Sequence, residues 1–249
     1  MKISRSVMVL AVGILMAIPV LPAAAEQTVT LGTLDWEPYI GQKLENQGWV
    51  AEVVREAFKR SGYAVQFQFK PWARVTFEAQ KGETDGYFPE YFSEDLKKDF
   101  VLSAPFAGGP LGFFKRRGEA VTYTRLEDLK PYKIGVVRGY VNTAEFDGAA
   151  YLKKEEAKDD VTNIKKLLAK RLDLIVADKY VGLYLLKQEM PDKADSMEFI
   201  EPALEQKDLY VCITKKNPDH EKLIQAFNDG LAKIKADGTL DGIMKRHGF

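Results

Sequence analysis

Trp36 stands two residues before Pro38, and Trp72 directly follows Lys70-Pro71. Both tryptophans fall where an apolar, strand-like run gives way to a proline-flanked loop, a setting that points to a binding surface rather than to a core. Indole faces pack against apolar stems and attract cations with about 0.5–2 kcal/mol. Asp178 follows the apolar run 174–177 and so emerges at the carboxyl end of a strand, where open α/β sheets bind ligands. A carboxylate there can accept charge-assisted hydrogen bonds from an ammonium. It can equally cap the helix that begins near Tyr180. Arg74, in Pro71-Trp72-Ala73-Arg74, and Arg138, at the end of a second-series strand beside Gly139, could each bind a carboxylate. Their bland readings are an ion pair of Arg74 with Glu78 one helical turn on, and a solvated strand end for Arg138. Asp35 and Glu37 flank Trp36, and strand alternation would turn at most one of them to the same side.

Other chemistries find little support. The chain has 249 residues with only two histidines, His220 and His247, and a single cysteine, Cys212, which leaves little for a zinc site, a thiol nucleophile or a disulfide. It contains no Ser/His/Asp set, nucleophile elbow or phosphate-binding glycine loop, and Gly108-Gly109-Pro110 reads as a turn. No cofactor is expected. The 36 basic residues balance the 36 acidic ones, so there is no basic field for a phosphate backbone and no nucleic-acid partner is expected. A composition of 46% hydrophobic and 11% aromatic residues excludes a disordered or fibrous chain.

The elements that must position these residues alternate between strand and helix. The patterning predicts a strand at 29–34, a helix at 49–60, a strand at 65–69, a helix opened by Pro71, and extended pieces at 86–88 and 111–115. A second series follows, with strands at 133–137 and 172–177, helices at 162–170 and 180–188, and a strand at 209–214. Helices at about 220–236 and 240–246 close the chain. The charged stretches 153–158 and 165–166 read as solvated helix faces. Strands alternating with helices imply an α/β architecture with mainly parallel sheets. Two such series, joined near Lys115-Arg116-Arg117-Gly118 and again near residues 205–208, suggest two lobes. One lobe takes residues 26–115 and 208–249, and the other takes 116–207, with a ligand between them.

The amino terminus reads as an export signal. Lys2 and Arg5 precede an apolar run over 7–21, and Ala23-Ala24-Ala25 supplies a cleavage site, so residues 1–25 are expected to be removed on the way to the periplasm.

Four segments carry a family resemblance: Leu-Ser-Ala-Pro-Phe at 102–106, Leu-Glu-Asp-Leu at 126–129, Arg-Leu-Asp-Leu-Ile-Val-Ala-Asp at 171–178, and Lys-Ala-Asp-Gly-Thr-Leu-Asp-Gly-Ile at 235–243. In this order and spacing the chain resembles the periplasmic solute-binding proteins of family 3, the polar amino-acid type that serve ABC importers. The resemblance implies a two-lobe Venus-flytrap fold that closes on a small solute. It further implies aromatic rings around the solute's side chain, an arginine on its α-carboxylate and an aspartate on its ammonium. Trp36, Trp72 and Asp178 occupy matching positions. The arginine position is Leu96, which cannot fork a carboxylate. The small residues usual just upstream are replaced by Pro89, Glu90 and Tyr91, and a common threonine after Gly139 is Tyr140. Arg74 or Arg138 would have to stand in, and Glu90 with Tyr91 would suit a ligand carrying an extra amine. The resemblance thus implies a monomeric binder of an amino acid or amine-bearing relative, partnered by an inner-membrane permease. Two alternatives accompany it, an exported dehydratase of cyclohexadienyl acids that would draw on Glu90 and Asp178, and a soluble ligand sensor.

Overall fold

A computed structural model of the chain describes residues 27–249, so the expected signal peptide lies outside the described residues. The first series consists of β1 (Gln27–Thr33), α1 (Trp49–Lys59), β2 (Tyr63–Phe69), α2 (Trp72–Lys81) and β3 (Gly86–Glu90). β1 pairs in parallel with both β2 and β3, as crossover helices require. α1 turns Trp49, Val50, Val53, Val54, Ala57 and Phe58 inward. β2 is an edge strand, and its Val65, Phe67 and Phe69 are only half-buried against the core.

After the short β4 (Phe100–Leu102), β5 (Phe106–Arg116) leads to the second series. That series comprises β6 (Lys133–Val137), α3 (Ala144–Gly148), β7 (Lys153–Ala157), α4 (Asp160–Leu168), β8 (Leu174–Asp178) and α5 (Lys179–Glu189). β6 pairs in parallel with β7 and β8. The short β9 (Met197–Phe199) precedes β10 (Glu205–Thr214), and α6 (His220–Ala236) and α7 (Thr239–Arg246) finish the chain.

The path through the sheet is β2-β1-β3-β10-β5-β8-β6-β7, with β4 on β10 and β9 on β5. Pairing is parallel within each βαβ series and antiparallel wherever β5 or β10 takes part. β10 runs beside β3 and β4 over its second half and beside β5 over its first, while β5 runs beside β10 over Phe106–Leu111 and beside β8 from Leu111 to Lys115. These two strands are the seam between the series. α6 returns to α1, and the crossing is so close that a Cβ on Gly230 would meet the Ala57 carbonyl oxygen at 1.8 Å. Only glycine fits there.

Two sequence expectations change here. Residues 153–157 form β7 rather than a helix face. It is the outermost strand, paired only to β6 and with only Ala157 buried, and its Lys and Glu side chains suit an edge exposed to water. Gly108-Gly109-Pro110 is not a turn but part of β5. A Cβ on Gly109 would lie 2.1 Å from the Tyr39 hydroxyl and 2.5 Å from an Asp178 carboxylate oxygen. The glycine is there because two side chains meet against the strand's backbone.

Candidate functional site

The loops after β1, β2 and β3 bring Trp36, Trp72 and Tyr91 together. The chain leaves β1 at Thr33 and tightens into a turn, with the Trp36 amide donating to the Ile40 carbonyl. This stacks Trp36 on Tyr39, ring centroids 4.7 Å apart and planes 21° apart, and sets it edge-on to Tyr91 at 5.9 Å. Trp72 is the first residue of α2, after Pro71. Its indole N–H donates to the Gly139 carbonyl at 3.0 Å, and Tyr140 stands perpendicular to it at 6.0 Å. Since Gly139 and Tyr140 follow β6, this bond joins the two series.

Trp36, Trp72, Glu90, Tyr91 and Tyr140 line one cavity, closed in by Leu34, Pro89, Val141 and Leu209. Its volume is about 30 Å³, room for one or two water-sized groups. Outside it, and sharing Leu34, Trp36, Trp72 and Tyr140, opens a groove of about 750 Å³. Both Asp35 and Glu37 line that groove, against the expectation of one at most. Strand alternation does not govern them, because residues 35–38 belong to the turn and not to β1.

The buried carboxyls set the electrostatics. Glu90 is 4% exposed; one oxygen accepts from the Tyr87 hydroxyl at 3.0 Å and the other from the Tyr91 amide at 2.8 Å. Burial pushes its pKa up to about 8, against the smaller opposing pull of these bonds and of Lys207. Asp178 is 3% exposed and caps α5, with Oδ1 taking the Tyr180 and Val181 amides at 2.8 and 3.2 Å. Its Oδ2 takes the Tyr39 hydroxyl at 3.0 Å and the Tyr91 hydroxyl at 3.3 Å. Burial nevertheless raises Asp178 to about 6. Asp160, next to the α4 cap Asp159, accepts from the Tyr140 hydroxyl at 3.1 Å and is likewise raised by burial, to about 7. None of the three has a cation within ion-pair distance among the described residues. Lys207, itself buried, pairs with Glu205 at 3.2 Å and lies 5.2 Å from the centre of the Tyr91 ring.

Six of the eight residues expected from the sequence come together: Trp36, Trp72, Glu90, Tyr91 and Tyr140 around the cavity, and Asp178 behind Tyr91. The arginines do not join them. Arg74 is 69% exposed at the side chain and bonds to Glu78 at 2.6 Å. Two helical positions turn a side chain by about 200°, so the residue two after Trp72 faces away from it. Arg138 is equally exposed and bonds to Glu156, on the neighbouring β7, at 2.7 Å. Leu96 packs half-buried against the core from the middle of a short 3-10 helix, Glu94–Lys98. For Asp178, Oδ1 displays the capping role and Oδ2 takes the two tyrosine hydroxyls.

Sequence reading passed over Tyr39, Asp160 and Lys207. Asp159-Asp160 carries the ordinary helix-start signal, but the apolar periodicity begins only at Ile164, so the helix was expected two residues late. Tyr39 and Lys207 carry no local signal, since their roles depend on partners 139 residues and more than 100 residues away in sequence. The described residues contain no cluster of histidine, cysteine or carboxylate side chains able to hold a metal ion, and no helix long and apolar enough to cross a membrane.

Over residues 29–249 the chain matches the family described as bacterial extracellular solute-binding proteins, family 3. It is 24% identical over 202 residues to the L-cystine-binding protein TcyJ of Escherichia coli (strain K12), a match spanning 80% of this chain and 73% of that protein. Among solved structures, a histidine kinase sensor domain with similarity to periplasmic binding proteins superposes with a TM-score of 0.77 at 19% identity, covering 89% of this chain and 96% of that one. An ancestral arginine-binding protein bound to arginine superposes with a TM-score of 0.74 at 24% identity, covering 89% and 98%.

Proposed function

The chain belongs to the bacterial extracellular solute-binding proteins, family 3, and from this premise we propose that it captures a small, polar, amine-bearing solute between two lobes and delivers it to an ABC permease of the inner membrane. The observation that carries the reading is the ring-walled cavity at the seam, where Trp36, Trp72 and Tyr91 of one series meet Tyr140 of the other. In this reading one lobe is 26–115 with 208–249 and the other 116–207, and the chain passes between them in β5 and β10. A cavity of about 30 Å³ is too small for any amino acid, so the lobes part by bending at those strands to admit one. Trp36 and Trp72 cover the solute's stem, Glu90 and Tyr91 meet its amine, and Asp178 holds the lobes together through Tyr39 and Tyr91. Residues 1–25 direct export and are removed after Ala25, which puts the protein in the periplasm as a monomer.

In favour of the dehydratase alternative stands the burial of Glu90, which pushes its pKa up to about 8, towards what a general acid needs. Against it, no arginine lines the cavity or the groove to hold a substrate carboxylate. Native mass spectrometry of protein purified without refolding tests the binding reading. A co-purified amine-bearing solute, released by Trp72→Ala, is the expected result. Turnover of a prephenate-like acid, with no solute retained, would replace binding by catalysis.

A further inference from the structure

The groove outside the cavity is acidic on both of its walls. Asp35 and Glu37 come from the first series, and Asp159, Asp160 and Glu189 from the second. Its three lysines are Lys43, Lys70 and Lys158. Lys70 is held by Glu78 at 2.5 Å, and Lys158 lies 3.5 Å from Asp159. Glu37 and Glu189 have no cation within ion-pair distance among the described residues, although Lys43 is near enough to Glu37 to be felt. Glu37 of the first series and Glu189 of the second both line the groove, and burial, with a smaller repulsion from Asp35 and Glu189, raises the Glu37 pKa. Like charges held together across a closing cleft oppose closure unless a cation lies between them. The ends of two helices that could have received an anion are already taken by carboxylates, Asp159 and Asp160 on α4 and Asp178 on α5. The inner cavity repeats the pattern, with four aromatic rings, one carboxyl and no base on its wall.

We propose that the solute is a linear organic dication without a carboxylate, a diamine or an amine–guanidine, with one cationic end among Trp36, Trp72, Tyr91 and Glu90 and the other between Glu37 and Glu189. The proposal rests on the reading of the cleft as a solute site and specifies its substrate class. The inner rings favour a cation by their faces, and a cationic end beside Glu90 lowers its raised pKa, so that its proton passes to solvent and the carboxylate pairs with the cation on binding. The outer pair makes closure depend on the second cation, which separates dications from simple amines.

Calorimetry with matched pairs tests the idea, because cadaverine differs from lysine, and agmatine from arginine, only by the carboxylate. The decarboxylated member of each pair should bind at least about tenfold more tightly. Glu37→Gln with Glu189→Gln should weaken cadaverine about tenfold or more and n-pentylamine by less than about threefold. Both positions lie on the groove wall and Glu189 is exposed, so a melting curve of the double variant serves as the folding control. Tighter binding of lysine and arginine than of their amines overturns the proposal and assigns the carboxylate to Lys70 and the uncapped start of α2. Failure of all four to bind also overturns it, and a different co-purified solute lost in Trp72→Ala would still leave the cleft as the site. Cadaverine bound equally well by the parent, Trp72→Ala and Glu90→Gln would discard the cleft itself.

Discussion

The half of the molecule built on β1, β2 and β3 lends the cleft its rings, Trp36, Tyr39, Trp72 and Tyr91, with one buried carboxyl, Glu90. The half built on β6, β7 and β8 lends one ring, Tyr140, and two buried carboxyls, Asp160 and Asp178. The scaffolds are alike, each a β–α–β–α–β run with three parallel strands. What differs is where the site residues sit. In the first half Trp36, Tyr39 and Tyr91 stand on the loops that leave the strands, with Glu90 at the end of β3 and Trp72 at the start of α2. In the second half the carboxyls stand at the starts of α4 and α5, where backbone amides and the helix dipole favour negative charge. Each half then completes the other, since Tyr39 and Tyr91 bond to Asp178 and the Trp72 indole bonds to Gly139. Ring contacts accompany these bonds across the seam, with Tyr140 perpendicular to Trp72 and Tyr180 edge-on to both Tyr39 and Phe249.

The largest expected effect separates ring from ring within the first half. Trp49 is wholly buried on α1, and Trp49→Ala should cost about 3–5 kcal/mol of folding stability in denaturant titration. Solute affinity should stay within about threefold of the parent. Trp72→Ala should instead weaken binding by about 1–4 kcal/mol with a much smaller change in unfolding midpoint. If the two variants exchange these signatures, Trp72 is core and the cleft assignment fails.

A smaller effect measures the joint between the halves. In a double-mutant cycle of Tyr39→Phe with Asp178→Asn, a coupling of about 1–3 kcal/mol is expected, because the bond is buried and its acceptor is a carboxyl. Asn remains a good helix cap, so the cycle isolates the crossing bond from the cap. Strict additivity would show that the halves are not held there.

The pH profile sharpens the comparison further. Glu90 is raised by burial from 4.5 to about 8 and faces Tyr87, Tyr91, Tyr140, Lys207 and Cys212. The folded chain thus keeps a proton that the unfolded chain has released. Its contribution to stability is full below about pH 4.5, falls as the pH rises, and is gone above about pH 8. Asp160 and Asp178, raised to about 7 and about 6, act with the same sign. Glu90→Gln should make the fall shallower across pH 6–8 in thermal scans, leaving the part owed to the two aspartates of the second half. A slope unchanged by the substitution would mean that Glu90 is ionised in the folded protein.

The smallest effect is expected at the arginines. Arg74→Ala and Arg138→Ala remove exposed ion pairs, worth under about 1 kcal/mol, and solute affinity should not move beyond about twofold. A tenfold loss in either would return that guanidinium to the site.

Local sequence determined the alternation of strand and helix, because apolar periodicity is a property of consecutive residues. It also determined the placing of Trp36, Trp72 and Asp178 at strand ends, because prolines and apolar runs mark those ends directly. The tertiary structure decided what those positions face. Arg74 lies two residues from Trp72 in sequence and on the opposite side of α2 in space, while Tyr39 and Asp178 stand 139 residues apart and share a hydrogen bond. It also decided that the charged run 153–157 is an edge strand and that Gly109 lies within β5, since an edge and a close approach are defined by neighbours from elsewhere in the chain. The raised pKa values of Glu90, Asp160 and Asp178 belong with these, because desolvation depends on everything packed around a carboxyl, near in sequence, as Tyr87 and Tyr91 are to Glu90, or far from it, as Tyr39 is from Asp178.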